Sequence, residues 1–249
     1  MSDVIMSPAN PEIKRLKRLG TASERRRLGC FLVEGCRAIT GFLDHGWCPQ
    51  QILVEIDRPL PPAWREHPVR RVGDRVIAAV ANSSTAAGYI AVFSIPGEDV
   101  PWLAEEGGLV LCGVADPGNV GTLLRSAVAF QRPQIILLGG ADPYAPKVVQ
   151  ASAGALAGAR VRRIDAIGDL APLVGSVPMA GLVVSDGQAI EQLAGQAVWL
   201  AVGSEAHGLS HEIIARCQHR ITLPMPGGGE SLNAAVAGSI ALYQLAVTS

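Results

Sequence analysis

The stretch DPGNVGTLLRSA, Asp116 to Ala127, decides how this chain is read. It follows the apolar run GLVLCGV and opens into a segment with apolar residues at Val120, Leu123, Leu124, Ala127 and Val128. That spacing lines one face of a helix. A continuous apolar strand turning into such a helix is the building unit of a parallel α/β sheet. Gly118, Gly121 and Arg125 follow one another at three and four residues on another face of the same helix. Helical side chains lean toward the N-terminus. Arg125 is therefore expected to lie over two positions without side chains and to reach the helix start, where anions are favoured. This predicts an anion or phosphate pocket with Asn119 beside it as a neutral hydrogen-bonding group. The alternative is a helix whose glycines only permit close packing and whose arginine is solvated.

Two further glycine-rich corners lie downstream. In LAVGSEAHGLS, Leu200 to Ser210, a strand ends at Gly203 and Glu205 follows in a glycine-bracketed turn. Ligands of parallel sheets bind outside such strand ends. His207 and His211 are four apart, but Gly208 and Ser210 oppose a continuous helix. HEIIA also lacks the second histidine of a zinc-binding HExxH, so no metal site is expected. In ITLPMPGGGESLNAAVAGSIALYQLA, Ile221 to Ala246, a strand is expected to stop at Pro224 and a glycine run to cross over. Ser231 is expected to cap a helix starting near Leu232. Ala234, Ala235, Ala237, Gly238 and Ser239 make that helix small enough to press against another backbone.

Working outward, LVLCGV, QIILLG, MAGLVVS and AVWLAVG read as buried strands between helical patterns, giving a mostly parallel sheet. Upstream, a basic helix over about 11–28 leads to the strand CFLVE and a helix near 36–45. Strands at QILVE and VRRV, a helix at DRVIAAV and a strand at GYIAVFS complete a small α/β domain. The Pro-, Gly- and acid-rich SIPGEDVPWLAEEGG separates the two. The predicted organisation is a first domain over 1–95, a linker over 96–106 and a second domain over 107–249.

Charge divides the same way. Residues 1–95 hold 13 Lys and Arg against 9 Asp and Glu, whereas the rest hold 8 against 13. Seven of the basic residues fall in Lys14–Arg27, a block suited to a phosphate backbone or, more plainly, to a solvated helix face. The chain has 249 residues and 49% hydrophobic content, enough for a sizeable core. No apolar run reaches the ~18 residues of a membrane span, and no signal-peptide core is present. A cytoplasmic protein is expected. Five cysteines without CxxC spacing argue for reduced thiols. An oxidoreductase reading would need GxGxxG after LVLCGV, which DPGNVGTLL does not supply.

The three corners, in order, resemble the three motifs of the SpoU/TrmH family of RNA ribose 2′-O-methyltransferases. DPGNVGTLLRSA is similar to the first, VGSEAHGLS to the second and LPMPGGGESLNAAVAGSI to the third. RRRLGCFLVEGCRAI resembles, more weakly, the start of the family's small N-terminal RNA-binding domain. His207 stands where the family often has Lys, and PGGGES is richer in glycine than usual. The resemblance implies an α/β catalytic domain with a C-terminal trefoil knot, homodimerisation and S-adenosylmethionine as cofactor. It implies cofactor contacts from Gly203, Leu223, Met225 and Leu232. Arg125, Asn119, Glu205, Ser231 and Asn233 are the implied catalytic set. RNA contacts are expected from Lys14, Arg15, Lys17, Arg18, Arg25, Arg26, Arg27 and Arg37. The implied substrate is 23S ribosomal RNA, with a transfer RNA methyltransferase or a non-catalytic RNA-binding protein of the same fold as the alternatives.

Overall fold

The computed structural model describes residues 4–82, 87–97, 101–229 and 231–247. The chain divides into two compact units, Met1–Asp99 with Tyr144–Ala157, and Val100–Pro143 with Gly158–Ser249.

The first unit begins with α1 (Pro11–Arg18), α2 (Ala22–Leu28), β1 (Cys30–Glu34) and α3 (Cys36–Asp44). It continues through β2 (Pro49–Glu55), β3 (Val69–Val72), α4 (Asp74–Val80) and β4 (Tyr89–Ser94). Its sheet runs β1-β4-β2-β3, with β4 antiparallel to both neighbours and β2 parallel to β3. Strand side chains alternate between faces. Leu32, Ile90 and Val92 join Ile13, Leu16, Val76 and Ile77 in one core. From alternate positions Phe31 and Phe93 meet Phe42, with ring centroids 5.8 and 4.9 Å away. Both faces of this small sheet are thus covered.

The basic helix expected over 11–28 is two helices. Leu19 is buried and Gly20 and Thr21 form the break, with the Thr21 hydroxyl donating to the Arg18 carbonyl at 3.1 Å. Arg25 turns inward: it is 3% exposed and its Nη1 donates to the Leu19 carbonyl at 2.7 Å. It joins the two helices and departs from the expected RNA-contact set for that reason. Lys14, Arg15, Lys17, Arg18, Arg26, Arg27 and Arg37 are exposed, and Arg27 also pairs with Glu24 at 2.7 Å.

The second unit holds β5 (Gly108–Cys112), α5 (Pro117–Ala129) and β6 (Gln134–Leu138). The chain then contributes α6 (Pro146–Ala151) to the first unit before β7 (Arg160–Ile164), α7 (Leu170–Val174) and β8 (Met179–Leu182). Then come β9 (Trp199–Gly203), α8 (His211–Arg216), β10 (His219–Ile221) and α9 (Ala234–Val247). The excursion 144–157 departs from the simple division expected at the linker. Its cause is packing: Val148 and Val149 are buried, α6 lies against β1, and the Tyr144 ring sits 4.9 Å from Phe31.

The second sheet runs β10-β8-β9-β5-β6-β7 and every pairing is parallel. Its middle strands β5 and β9 are buried throughout. The edge strand β7, RVRRI, carries arginines that hide its strand pattern, a common protection of open edges. The strand expected to stop at Pro224 is β10, which ends earlier, at Ile221. Beyond it the Thr222 amide bonds to the Gln188 carbonyl, outside the ladder. The chain runs outward from β5 through β6 to β7 and returns to β5's other side with β9. A crevice at the carboxyl ends of β5 and β9 follows from that reversal.

Arg25→Ala should lower folding stability by about 1–3 kcal/mol, because the buried Leu19 carbonyl loses its charged donor. Arg26→Ala, on the solvent side, should change it by less than about 0.5 kcal/mol. Urea denaturation midpoints of the two variants check the contrast.

Candidate active site

Asp116 ends the β5–α5 connection and caps the helix, its Oδ1 accepting from the Asn119 amide at 2.8 Å. A side chain at Gly118 would place its Cβ 2.9 Å from that oxygen, so the glycine makes room for the cap. The Asn119 side chain then donates from Nδ2 to Glu205 Oε1 at 2.7 Å and accepts at Oδ1 from Asn233 Nδ2 at 3.1 Å. Asn233 Oδ1 accepts from the amides of Ala235 and Val236 at 2.9 and 3.2 Å. Three residues from three distant stretches are thereby joined.

Two expectations change here. Asn233, not Ser231, caps the last helix, which starts at Ala234. The helix start expected to hold a phosphate is already served by the protein's own carboxylates. Asp116 caps it, and Glu205 Oε2 accepts from the Ala115 amide at 3.5 Å. Arg125 is exposed and forms no hydrogen bond or ion pair with the described residues, while Gly121 is buried beside the helix stripe. Asp116 itself went unassigned in the sequence, although aspartate before proline at a helix start is a capping signal.

Burial pushes the Glu205 carboxyl up, but the hydrogen bonds from Asn119 and from the amides of Glu205, Ala115 and Asp116 outweigh it. The group is held below its ordinary value. Glu205 therefore stands as a fixed anion and acceptor.

Glu205 belongs to a tight turn in which Ser204 and Gly208 exchange backbone hydrogen bonds of 3.1 and 2.9 Å. A Cβ on Gly203 would run into the backbone of Gly208 and Leu209, and Gly208 has φ +64°. This turn walls a cleft of about 560 Å³. Gly203, Leu223, Met225 and Leu232 all line it, as do Glu205, Ser231 and Asn233. Asn119 stands behind Glu205 and Asn233, and neither it nor Arg125 is among the lining residues. The lining also includes Leu182, Val183 and Val184, read in the sequence only as strand, and His207. The volume suits a nucleoside-sized ligand. Apolar walls at Leu182, Val202 and Leu223 face polar groups at Ser204, Ser231 and Asn233. Among the described residues no cluster of His, Cys, Asp and Glu could hold a metal ion.

Known proteins resemble this chain in sequence and fold. A family model described as the SpoU rRNA methylase family matches residues 108–243, and an MRM3-like substrate binding domain matches residues 10–91. The 23S rRNA (uridine(2479)-2′-O)-methyltransferase of Streptomyces viridochromogenes is 30% identical, over 91% of this chain and 85% of its own. The 23S rRNA (guanosine(2553)-2′-O)-methyltransferase RlmP of Bacillus subtilis is 28% identical, over 97% and 98%. The crystal structure of the SpoU methyltransferase AviRb from Streptomyces viridochromogenes, in complex with the cofactor AdoMet, superposes with a TM-score of 0.85. It is 27% identical, over 95% of this chain and 97% of that one.

Because its folded-state pKa is depressed, Glu205 favours the folded corner above the ordinary carboxylate pKa, and that contribution fades as pH falls through the lowered value. Asn119→Ala removes the leading hydrogen bond and should move the Glu205 midpoint upward. Carboxyl-carbon NMR titration reads this directly; an unmoved midpoint would mean that the backbone amides alone hold the anion.

Proposed function

This chain belongs to the SpoU rRNA methylase family, and from that premise we propose that it methylates a ribose 2′-hydroxyl of 23S ribosomal RNA, using S-adenosylmethionine, in the cytoplasm. The observation that carries this reading is the hydrogen-bonded set Glu205–Asn119–Asn233 at the cleft beyond β5 and β9.

S-adenosylmethionine, when bound, supplies a methyl group already activated by its sulfonium. The turn after Gly203, together with Leu223, Met225 and Leu232, holds it, largely through backbone groups and apolar contact. Glu205 fixes the Asn119 amide, and Asn119 and Asn233 orient the ribose edge. Ser231 contributes its hydroxyl to the same edge. Arg125 is a permanently protonated guanidinium, suited to clamping a phosphate or stabilising a developing alkoxide. Alignment of this kind supplies ~7–11 kcal/mol of a barrier. The segment 183–188 bonds across the end of β10, Val183 to Ile221 and Gln188 to Arg220, and we assign this crossing to the family's trefoil knot.

The first unit is assigned to RNA contact through Lys14, Arg15, Lys17, Arg18, Arg26, Arg27 and Arg37, all exposed. A second copy of the chain is assigned to α9. That helix is apolar on all sides, yet Val236, Ile240, Tyr243 and Val247, at helical spacing, are 39–53% exposed. Such a stripe is a protein-contact surface. Sedimentation should give a dimer mass, and Ile240→Asp with Tyr243→Asp should give a monomer; a wild-type monomer at micromolar concentration would remove the assignment.

With labelled S-adenosylmethionine, ribosomal RNA and EDTA, the protein should place label on a ribose 2′-oxygen. Label on a base, or on no RNA, would overturn the reading. In the same assay Arg125→Ala should lose nearly all turnover while calorimetric cofactor affinity holds. Arg125→Lys should fail largely as well, since a point charge does not replace a planar fork.

A further inference from the structure

We propose that His207 is the group that accepts the proton of the ribose 2′-hydroxyl, an assignment that rests on the cleft being the methyl-transfer site. The hydroxyl must lose a proton as it is methylated, and few groups in this corner can take one. Arg125 is a guanidinium and stays protonated. Among the described residues lining the cleft, the only titratable side chains are Glu205 and His207. Glu205 is a poor base: both carboxylate oxygens accept hydrogen bonds, from Asn119 and from Ala115, and these bonds hold the carboxyl below its ordinary value. The His207 ring differs in its bonding. The residue projects from the exposed part of the Ser204–Gly208 turn, and its backbone amide bonds to Ser204 Oγ at 3.3 Å. Its ring makes no hydrogen bond to the described residues, so a ring nitrogen is available as an acceptor. Imidazole is also the side chain that exchanges protons around neutral pH.

The step balances without a further reagent. The O2′–CH3 bond forms as the S–CH3 bond breaks, the electron pair of that bond stays on sulfur as a neutral thioether, and the 2′-proton passes to the imidazole and then to solvent. The charged groups on the flanking elements are Glu205 on the same turn, Asp116 and Arg125 on the α5 segment, and Glu212 and the titratable His211 at the start of α8.

The test compares wild type, His207→Gln and His207→Ala on the same ribosomal RNA, over about pH 6 to 9. Wild type should show an acid limb in kcat that both variants lack. Their kcat should fall about 100-fold or more, within the range of general-base effects, with KM for RNA and calorimetric affinity for S-adenosylmethionine within about twofold. Added imidazole should restore part of the His207→Ala rate. Wild-type kcat and pH profile in His207→Gln would overturn the proposal, as would a loss confined to KM. Loss of cofactor affinity would place the ring in the cofactor's seat and overturn it too. Failure of wild type itself to methylate ribose would instead sink the functional reading.

Discussion

The 2.7 Å hydrogen bond between Asn119 and Glu205 connects the ends of the two most buried strands of the large sheet. Asn119 sits at the start of the helix after β5, and Glu205 in the turn after β9. Asn233 adds the third strand-to-helix corner from 114 residues away in sequence. An amide side chain has both donor and acceptor sides, and Asn119 uses both, one toward the carboxylate and one toward Asn233. The direction of each bond is thus fixed by chemistry. Asp could not replace Asn119 without setting two carboxylates against each other.

The glycines around this junction serve close packing more than looseness. Gly203 lets the turn fold back on the strand it leaves. At Gly238 a Cβ would stand 2.5 Å from Leu123 Cδ2 and 3.2 Å from Val202 Cγ2. Any larger residue would force either the Leu123 side chain of α5 or α9 itself to shift. The Ser126–Ser239 hydrogen bond of 2.7 Å, between the same two helices, depends on that proximity. The site's geometry therefore reaches back into the core packing of a helix that only borders the cleft.

Much of this was legible in the sequence because apolar periodicity reports burial. The stripe Val120, Leu123, Leu124 and Ala127 is buried, and CFLVE and GYIAVFS are strands. The cofactor candidates also proved to share one cleft, since residues at strand ends of a parallel sheet converge. What stayed hidden depends on partners far along the chain. Arg25 reads as one charge in a basic block, and only the break at Leu19 gives it a buried acceptor. Ser231 is as good a cap by type as Asn233, and the choice falls to whichever residue sits where the helix begins. The α5 start looked like a phosphate seat because the carboxylate that shares it, Glu205, lies 90 residues from Ala115. The edge strand RVRRI hides behind its charges.

The path of residues 144–157 bears on how such a protein can be taken apart. The chain leaves the catalytic sheet after β6, covers β1 with Val148 and Val149, lets Ala157 accept the Trp47 indole hydrogen bond at 2.9 Å, and returns as β7. The N-terminal unit is therefore not a cassette. A chimera spliced near residue 99 would import a foreign domain while keeping a helix shaped for the one removed. An exchange of the N-terminal unit between relatives needs two grafts, the N-terminal segment and this inserted helix, moved together.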